Sequence, residues 1–391
     1  MIVWGFIYLA YICLAGLSLV ENARGAAYPE IISAFGIDTR LGAWIFTISC
    51  ITGLTTNFSS RMWLSKWGAK KSTQMALLFI GSGAIAMAIS AHVGSFAFLL
   101  ASSGMIGIGT AMAIIAMNIL IIEATSLAHR RRFYSGLHAI YGLAALFSPI
   151  AFAKSMDRGL PWYVFFLFVG GLSLFCYFTT LFIAKSDSKI EVKKIAANVP
   201  FKIRSLYGLV ISFYVSSEVI IASRLTLLLQ DEFRYPMEQS KFYLSGFFFF
   251  LMIGRLFLAA KHFNMSNETL LKFSLGATLV ISTLGLLLHP LFLPLMGLSM
   301  SYFFPVAMNY LSDSFKDKTD FVTTSVMTLM EVILIIVNLS FGYLIQYLGI
   351  KISFYLVPLF IFLSLLTLYF IKWTISKQDD MEVGCEKPIQ V

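Results

Sequence analysis

Charged residues are scarce in this chain of 391 residues, in which Asp, Glu, Lys and Arg together account for only 13%. Hydrophobic residues account for 58%, and the mean hydropathy is +0.82. A water-soluble domain of this size needs far more charge to cover its surface. The composition therefore excludes an ordinary soluble protein.

Cysteine and histidine are also scarce, with four and five residues, and they are scattered along the chain. No disulfide framework, zinc site or paired catalytic group is visible, which disfavours a membrane-embedded enzyme. There is no glycine-rich phosphate loop to bind ATP. We therefore expect no metal, no cofactor and no enzymatic activity, and any pumping must draw on an ion or solute gradient.

Long apolar runs dominate what is present. Ser72–Ala91, Trp162–Ala184 and Ile352–Ile371 contain no Asp, Glu, Lys or Arg. Each run has about 20 residues, the length that a helix needs to cross about 30 Å of hydrocarbon. The pattern predicts an all-α integral membrane protein with twelve transmembrane helices.

Two pseudo-symmetric six-helix bundles are expected. The predicted bundles cover 1–184 and 205–375, joined by a charged linker at 185–204 and followed by a tail at 376–391. The predicted spans are 2–34, 41–62, 72–91, 95–123, 133–155 and 162–184, then 205–230, 240–260, 269–289, 293–312, 321–345 and 352–373. A weak internal repeat supports two halves, because Glu21 and Glu218 fall at nearly equivalent positions of spans 1 and 7.

Positive charge is unevenly distributed between the two sets of connectors. Of the 29 Lys and Arg residues, 20 fall on the side of the predicted termini, six on the opposite side and three inside spans. The positive-inside rule then places both termini in the cytoplasm of a multi-pass protein of the cell (inner) membrane. The same rule accounts for the net charge of +9, so nucleic acid is not an expected partner.

The connector after span 2, Trp63–Lys71, resembles the G-x-x-x-D-R-x-G-[RK]-[RK] loop of the major facilitator superfamily (MFS). Lys66, Gly68, Lys70 and Lys71 match that loop, and Ser65 replaces its acidic residue. Further similar features are Asn118 and Glu123 in span 4, Arg130–Arg132 after it, His138-x-x-Tyr141-Gly142 with Pro149 in span 5, Gly254-Arg255 in span 8, Pro305 in span 10, and Gly342 with Gly349 around the end of span 11. The general likeness is to sugar-permease-like and drug-efflux-like bacterial members. It implies a secondary transporter with a central cavity.

Glu21 and Arg24 lie three residues apart in span 1 and therefore share one helix face. A charge at mid-bilayer costs about 3 kcal/mol even on lenient insertion scales, and it usually faces water or a partner. The resemblance places the pair at the cavity. We expect Glu21 to exchange a proton or to organise a polar group of the substrate, with Arg24 stabilising its charged form. The alternative is a fixed salt bridge that only orients span 1.

Glu331 lies near the centre of span 11 without a basic neighbour in its own helix. It is either a second protonation site or a hydrogen-bond donor between helices. Glu218 and Arg224 in span 7 are six residues apart and lie on different faces, so they form a weaker candidate pair for substrate or proton coupling. His138 and Tyr141 are candidate polar groups on the cavity wall.

A second set of residues is expected to act at the cytoplasmic ends, together with Lys66, Gly68, Lys70 and Lys71. Glu123 is predicted to contact Arg130–Arg132 and so to link spans 4 and 5. Arg255, near the cytoplasmic end of span 8, is expected to extend its side chain toward the membrane surface.

These features predict secondary active transport of a small organic solute by alternating access, coupled to protons as symport or antiport. Glu21-x-x-Arg24-Gly25 is also similar to a first-span motif of bacterial lipid flippases of this superfamily, so a flippase or exporter of lipids, glycolipids or amphiphilic drugs is the alternative. A non-transporting receptor of the same fold is a third possibility. The expected partners are the substrate, protons and the lipid bilayer, and a monomer is expected because each chain encloses its own pathway.

Overall fold

The computed structural model describes residues 2–183, 199–260 and 265–385, but not the side chains of 127, 128, 130–132, 135, 138, 259, 260, 317, 320 and 372–385. All elements in these ranges are helices. Eleven of the described helices are long and apolar enough to cross a membrane. A twelfth span, the tenth in order, is divided into two shorter helices. The predicted all-α fold with twelve spans is confirmed.

The first half contains seven helices that form six spans. They are α1 (Trp4–Ala26), α2 (Tyr28–Phe35), α3 (Thr39–Phe58), α4 (Ser60–Val93), α5 (Phe96–Ala124), α6 (Leu127–Asp157) and α7 (Trp162–Thr180). The connector predicted at 63–71 is itself helical, and only Gly68 leaves helical geometry inside α4. Asp38 caps α3, because its Oδ1 accepts a hydrogen bond of 2.9 Å from the Leu41 amide. The Arg40 guanidinium, with help from that amide, holds the pKa of the Asp38 carboxyl below its usual value.

In the described part of the second half there are eight α-helices and one short 3₁₀ turn. The helices are α8 (Phe201–Asp231), α9 (Met237–Ala260), α10 (Asn267–Leu287), α11 (Phe292–Met300), α12 (Phe303–Phe315), α13 (Thr319–Leu348), α14 (Ile350–Phe354) and α15 (Leu356–Cys385), with the 3₁₀ turn at Lys316–Lys318. Helix α8 begins at Phe201, inside the linker predicted at 185–204. Linker residues 185–198 lie outside the described residues. Helix α15 continues past the predicted bundle end at 375.

Prolines explain three helix breaks that hydropathy did not predict. Span 1, expected as one helix, breaks at Ala27, span 10 breaks at 301–302, and span 12 breaks at Tyr355. Pro29, Pro305 and Pro358 follow these breaks. Proline has no amide hydrogen to donate to the carbonyl four residues earlier, so the helical ladder is interrupted there. Each break leaves a backbone carbonyl free for another partner.

The two halves repeat one packing scheme, which agrees with the predicted pseudo-symmetry. Helix α1 packs on α6 and α7, and its counterpart α8 packs on α13 and α15; likewise α3 packs on α5 and α9 on α11. A Cβ atom at Gly107 would overlap the Ser49 carbonyl, and one at Gly297 would overlap the Phe247 carbonyl. These equivalent glycines permit close helix approach at the same place in each half.

The halves meet through α1 and α2 with α8, α3 with α13, and α6 with α9. We call the end that carries the α2–α3 connector, residues 36–38, the Asp38 face, and the opposite end the Lys66 face. Several polar contacts between the halves gather toward the Asp38 face. Thr39 Oγ1 donates to the Gly342 carbonyl at 3.1 Å, and Arg40 Nη1 donates to the Tyr347 hydroxyl at 3.3 Å. The two halves are therefore in contact at the Asp38 face.

Candidate substrate and proton site

The predicted Glu21–Arg24 ion pair is formed on α1, and both side chains also bind neighbouring helices. Thr110 of α5 donates to Glu21 Oε1 at 2.9 Å, and Arg24 Nη1 donates to Ser49 Oγ of α3 at 2.6 Å. The Arg24 side chain is only 2% exposed, whereas that of Glu21 is 25% exposed. The pair is thus held by three helices, with its carboxylate on the accessible side.

Ser49 positions the arginine because its hydroxyl has two roles. It accepts from Arg24 and donates to the Ser103 carbonyl of α5 at 2.7 Å. The approach of α3 to α5 depends on Gly107, whose missing side chain leaves room for the Ser49 backbone. Sequence analysis did not select Ser49 or Thr110, since single hydroxyl residues in apolar spans are common.

Glu331 of α13 lies near Glu21 and Cys50 of the other half. Among the described residues, it has neither a hydrogen bond nor an ion pair. Asn338, seven residues further along the same helix face, donates to Cys50 Sγ at 3.7 Å and to the Leu334 carbonyl at 3.0 Å. This face of α13 therefore packs toward α3 and presents a half-buried carboxylate without a cationic partner.

Glu218 of α8 approaches Arg255 of α9 at 3.9 Å, and both side chains are partly exposed. Glu218 does not pair with Arg224, in agreement with their six-residue separation. Arg255 was expected to extend toward the membrane surface, but its guanidinium approaches Glu218 instead. The carboxylate on the adjacent helix explains this orientation, because an ion pair stabilises a guanidinium inside a span.

Tyr141 of α6 lies within electrostatic range of both Glu21 and Glu218. Its hydroxyl interacts with the Asn22 side chain and with the charges of Glu218 and Glu21, which belong to opposite halves. Its backbone carbonyl accepts a 2.8 Å hydrogen bond from Ser18 of α1. His138, one helical turn earlier, lies outside the residues whose side chains are described. The structure thus brings Glu21, Glu218, Glu331 and Tyr141 to the region between the halves.

Arg224 of α8 is separate from this set and is only 1% exposed. Its guanidinium carbon lies 4.0 Å from the centre of the Tyr28 ring and 4.1 Å from that of the Phe46 ring. Nη1 donates to the Ser223 carbonyl at 3.2 Å, while Nε and Nη2 are buried without a hydrogen-bond partner in the described part of the chain. Neither aromatic residue was selected from the sequence, where they are two of many Tyr and Phe residues.

Sequence analysis also missed an ion pair between the halves. Lys241 Nζ of α9 lies 2.6 Å from Glu30 Oε1 of α2 and 4.4 Å from the centre of the Phe152 ring. A signal was available, because Glu30 falls inside the predicted span 2–34 and Lys241 falls at the very start of the predicted span 240–260. Nearby, Gly25 of α1 crosses α8 closely, and its carbonyl accepts a 3.0 Å hydrogen bond from Thr226. Pro29 leaves that carbonyl free, so the proline break contributes to the contact between the halves.

The residues of the predicted connector at 63–71 lie at the Lys66 face. Gly68 has φ +70° and ψ 171°, backbone angles essentially restricted to glycine. The Lys70 ammonium donates to the Ile183 carbonyl after α7, whereas Lys66 and Lys71 are exposed. Ser65 bonds to the Met62 carbonyl at 3.1 Å. Glu123 lies in the last turn of α5; its predicted contact with Arg130 cannot be described, because the Arg130 side chain lies outside the described residues.

Comparisons with known proteins agree with this architecture. The crystal structure of a D-xylose-proton symporter superposes with a TM-score of 0.72, covering 94% of this chain and 96% of that chain. The two sequences are only 11% identical, so the match establishes a shared fold. No curated protein matches the sequence. The sequence model of the Major Facilitator Superfamily matches residues 10–296, and the chain is therefore a membrane transporter that belongs to the major facilitator superfamily.

Proposed function

We propose that this protein is a proton-coupled secondary transporter of a small polar organic solute that works by alternating access. The observation that carries the proposal is the position of Glu331, a half-buried carboxylate without a cationic partner among the described residues, near Glu21 of the other half. Glu21 and Glu218 have Arg24 and Arg255 as partners. Glu331 is therefore our candidate for the residue that binds and releases the proton.

Proton binding at Glu331 has a direct consequence for the contact between the halves. When both Glu331 and Glu21 are charged, they repel each other across the interface between α13 and the first half. Protonation of Glu331 removes that repulsion and the cost of burying its charge. Movement of the halves changes the environment of both groups, so proton binding and conformational change are coupled.

The polar groups between the halves support a polar solute. Glu218, Arg255 and Tyr141 combine charged groups with a hydroxyl, and Glu21 remains partly exposed. Sugars and organic acids both fit such a lining. The solved structure of similar fold is that of a D-xylose-proton symporter. Two competing functions are a flippase of lipids or amphiphiles and a non-transporting receptor. Measurement of solute and proton movement in liposomes distinguishes them from a solute transporter.

We further propose that the Lys66 face and both chain termini are cytoplasmic. The excess of Lys and Arg in the connectors of that face supports this orientation, together with an inner-membrane location. Both halves of one chain contribute residues to the central region, which supports a monomer as the functional unit. The proposed domain division is two bundles, 1–184 and 205–375, with the linker at 185–204 and the tail at 376–391.

The direct test is solute-driven proton movement in liposomes. The purified protein is reconstituted with a trapped pH-sensitive dye, and sugars, organic acids, cationic amphiphiles and lysolipids are added one at a time. Wild type is compared with Glu331→Gln and Glu21→Gln. Glu238→Gln provides a matched control, because it removes the same charge from an exposed position on α9.

We expect one solute class to move protons through wild type and Glu238→Gln but not through Glu331→Gln. Glu331→Gln should still exchange labelled solute across the membrane, because solute binding does not require its charge. Undiminished proton movement in Glu331→Gln would contradict the assignment. Solute uptake by wild type without protons would contradict proton coupling, and a response to lysolipids alone would favour the flippase.

A further inference from the structure

Arg224 is exceptional among the buried cations of the described residues. These are Arg24, Arg224 and Lys241. Arg24 and Lys241 form ion pairs with Glu21 and Glu30. No described carboxylate pairs with Arg224, and the nearby positive charge of Arg24 opposes its charge. A buried charge without a counter-ion is strongly unfavourable.

Two nitrogens of the Arg224 guanidinium have no hydrogen-bond acceptor among the described residues. Nε and Nη2, the two nitrogens without a hydrogen bond, lie along the same edge of the guanidinium plane. A carboxylate or a phosphate places two oxygens at the spacing that accepts both hydrogen bonds from such an edge. The hydroxyl of Tyr28, whose ring contacts the guanidinium, is a third buried group without a hydrogen-bond partner among these residues.

The stacking on two rings does not replace such an anion. The Tyr28 and Phe46 ring centres lie 4.0 and 4.1 Å from the guanidinium carbon, and both rings contribute cation–π attraction. An aromatic ring offers no strong hydrogen-bond acceptor, so neither contact satisfies the N–H groups of Nε and Nη2. The rings therefore hold the guanidinium in place and leave these two donors for a ligand, as a preorganised binding group requires.

We propose that the transported solute carries a carboxylate or phosphate group and that the Nε–Nη2 edge of Arg224 binds this group, assisted by the Tyr28 hydroxyl. This inference rests on the proposed transport function and specifies its substrate class. Tyr28 belongs to α2, which is separated from α1 by the break at Ala27. Displacement of α2 when the Asp38 face opens would uncover the guanidinium, which gives the anion access to the site from that face.

The charges of the empty protein then complement the two transported species. Arg224 is a buried cation and Glu331 a half-buried carboxylate, and each lacks a partner of opposite charge among the described residues. An anionic solute at Arg224 and a proton on Glu331 neutralise both groups. The fully occupied protein therefore buries less uncompensated charge than the empty protein, which favours movement with both species bound.

Ligand-induced thermal stabilisation of the purified full-length protein tests this site without requiring transport. The probes form two matched series: glucose, glucuronate and glucose 6-phosphate, and glycerol, glycerate and glycerol 3-phosphate, with inorganic phosphate added. Within a series, the carboxylate and phosphate members distinguish the two anions from the neutral parent. The variants are Arg224→Gln, Arg224→Lys and Tyr28→Phe, with Arg158→Gln as the control that removes an exposed positive charge near the same face.

We expect anionic probes, but not their neutral parents, to raise the unfolding temperature of wild type and Arg158→Gln. Arg224→Gln should weaken the apparent affinity at least about tenfold, as expected for loss of a charge-assisted hydrogen bond. Arg224→Lys and Tyr28→Phe should have intermediate affinities, and they decide the question if Arg224→Gln does not fold. The anion response should persist in Glu331→Gln.

Three results would overturn the inference: equal stabilisation by neutral and anionic probes, no stabilisation by any anion, or a full anion response in Arg224→Gln. In the last case, Arg224 only packs the helices, and its substitution lowers stability without changing ligand affinity. Failure of proton coupling is seen separately. Anion binding to a wild-type protein that moves no protons would refute the coupling proposal and leave the anion site standing.

Discussion

The buried pair Glu30–Lys241 should hold the Asp38 face closed, and removing one partner should open it. The Lys241 side chain is fully buried and that of Glu30 is 9% exposed, with 2.6 Å between Nζ and Oε1. Glu30 also lines a depression of about 370 Å³ at this face, so its side chain lies nearer to bulk water than the fully buried Lys241 ammonium. The two single variants, Lys241→Met and Glu30→Leu, therefore leave unpaired charges in different environments.

Breaking a buried ion pair from one side costs about 3–5 kcal/mol. We expect a cost of about 3 kcal/mol for Lys241→Met, because the remaining Glu30 side chain lines the depression and is 9% exposed. For Glu30→Leu we expect a cost of about 5 kcal/mol, because the remaining Lys241 side chain is fully buried. Both charges become hydrated when the face opens, so the cost applies mainly to the closed state. A free-energy change of about 1.4 kcal/mol changes the ratio of open to closed protein tenfold. That ratio should therefore rise about 100-fold in Lys241→Met and more than about 1000-fold in Glu30→Leu, until the open state dominates.

The assay is labelling of Ser223→Cys by a membrane-impermeant maleimide in a background whose native cysteines are replaced. Ser223 is buried at the crossing of α8 with Gly25, where opening of the Asp38 face exposes it. The labelling rate should rise in both single variants. Lys351→Met is the control, because it breaks the exposed Lys351–Glu232 pair, and surface pairs contribute only about 0–1 kcal/mol.

The double variant Glu30→Leu/Lys241→Met isolates the contribution of the unpaired charge. Two apolar side chains leave no buried charge, so labelling should return to within about tenfold of wild type. Equal labelling of the single variants and the Lys351→Met control would refute the argument that this pair holds the face closed. A double variant as reactive as Glu30→Leu would show that packing, and not charge, is responsible.

Three further predictions concern other parts of the molecule. Uptake of a monovalent anion with one proton should be electroneutral, so a potassium diffusion potential set by valinomycin should leave the uptake rate unchanged in wild type. Gly342→Val should place its side chain against Ala43 and destabilise the closed state by about 1–3 kcal/mol. Maleimide labelling of Ser223→Cys should then increase, and unchanged labelling would contradict this prediction. Gly68→Ala should lower the free energy of unfolding by about 1–3 kcal/mol because of its positive φ, and unchanged thermal unfolding would contradict it.

The number and placement of the spans were predictable because a bilayer requires every backbone polar group to be satisfied within the chain. Long apolar segments must then form helices, whatever their neighbours. The errors in helix continuity occurred at Ala27, at 301–302 and at Tyr355, each just before a proline. Hydropathy averages over about 19 residues and does not detect a single missing amide hydrogen.

The candidate site was only partly predictable. Glu21 and Arg24 were paired correctly because their spacing of three residues places them on one face of a single helix. Arg255 was assigned toward the membrane surface because its partner Glu218 lies on another helix. Glu30 and Lys241 were missed for the same reason, since the pair joins residues 211 positions apart in the sequence.

Sequence alone determined the membrane class, the twelve spans, the positive excess on one face and the local Glu21–Arg24 pair, because these depend on composition and on spacing within one helix. Only the tertiary structure decided that Arg224 packs against Tyr28 and Phe46 and that Glu331 lies near Glu21. The physical reason is that the rotation of each helix about its axis is set by packing against its neighbours. That rotation determines which charges meet a partner and which remain without one.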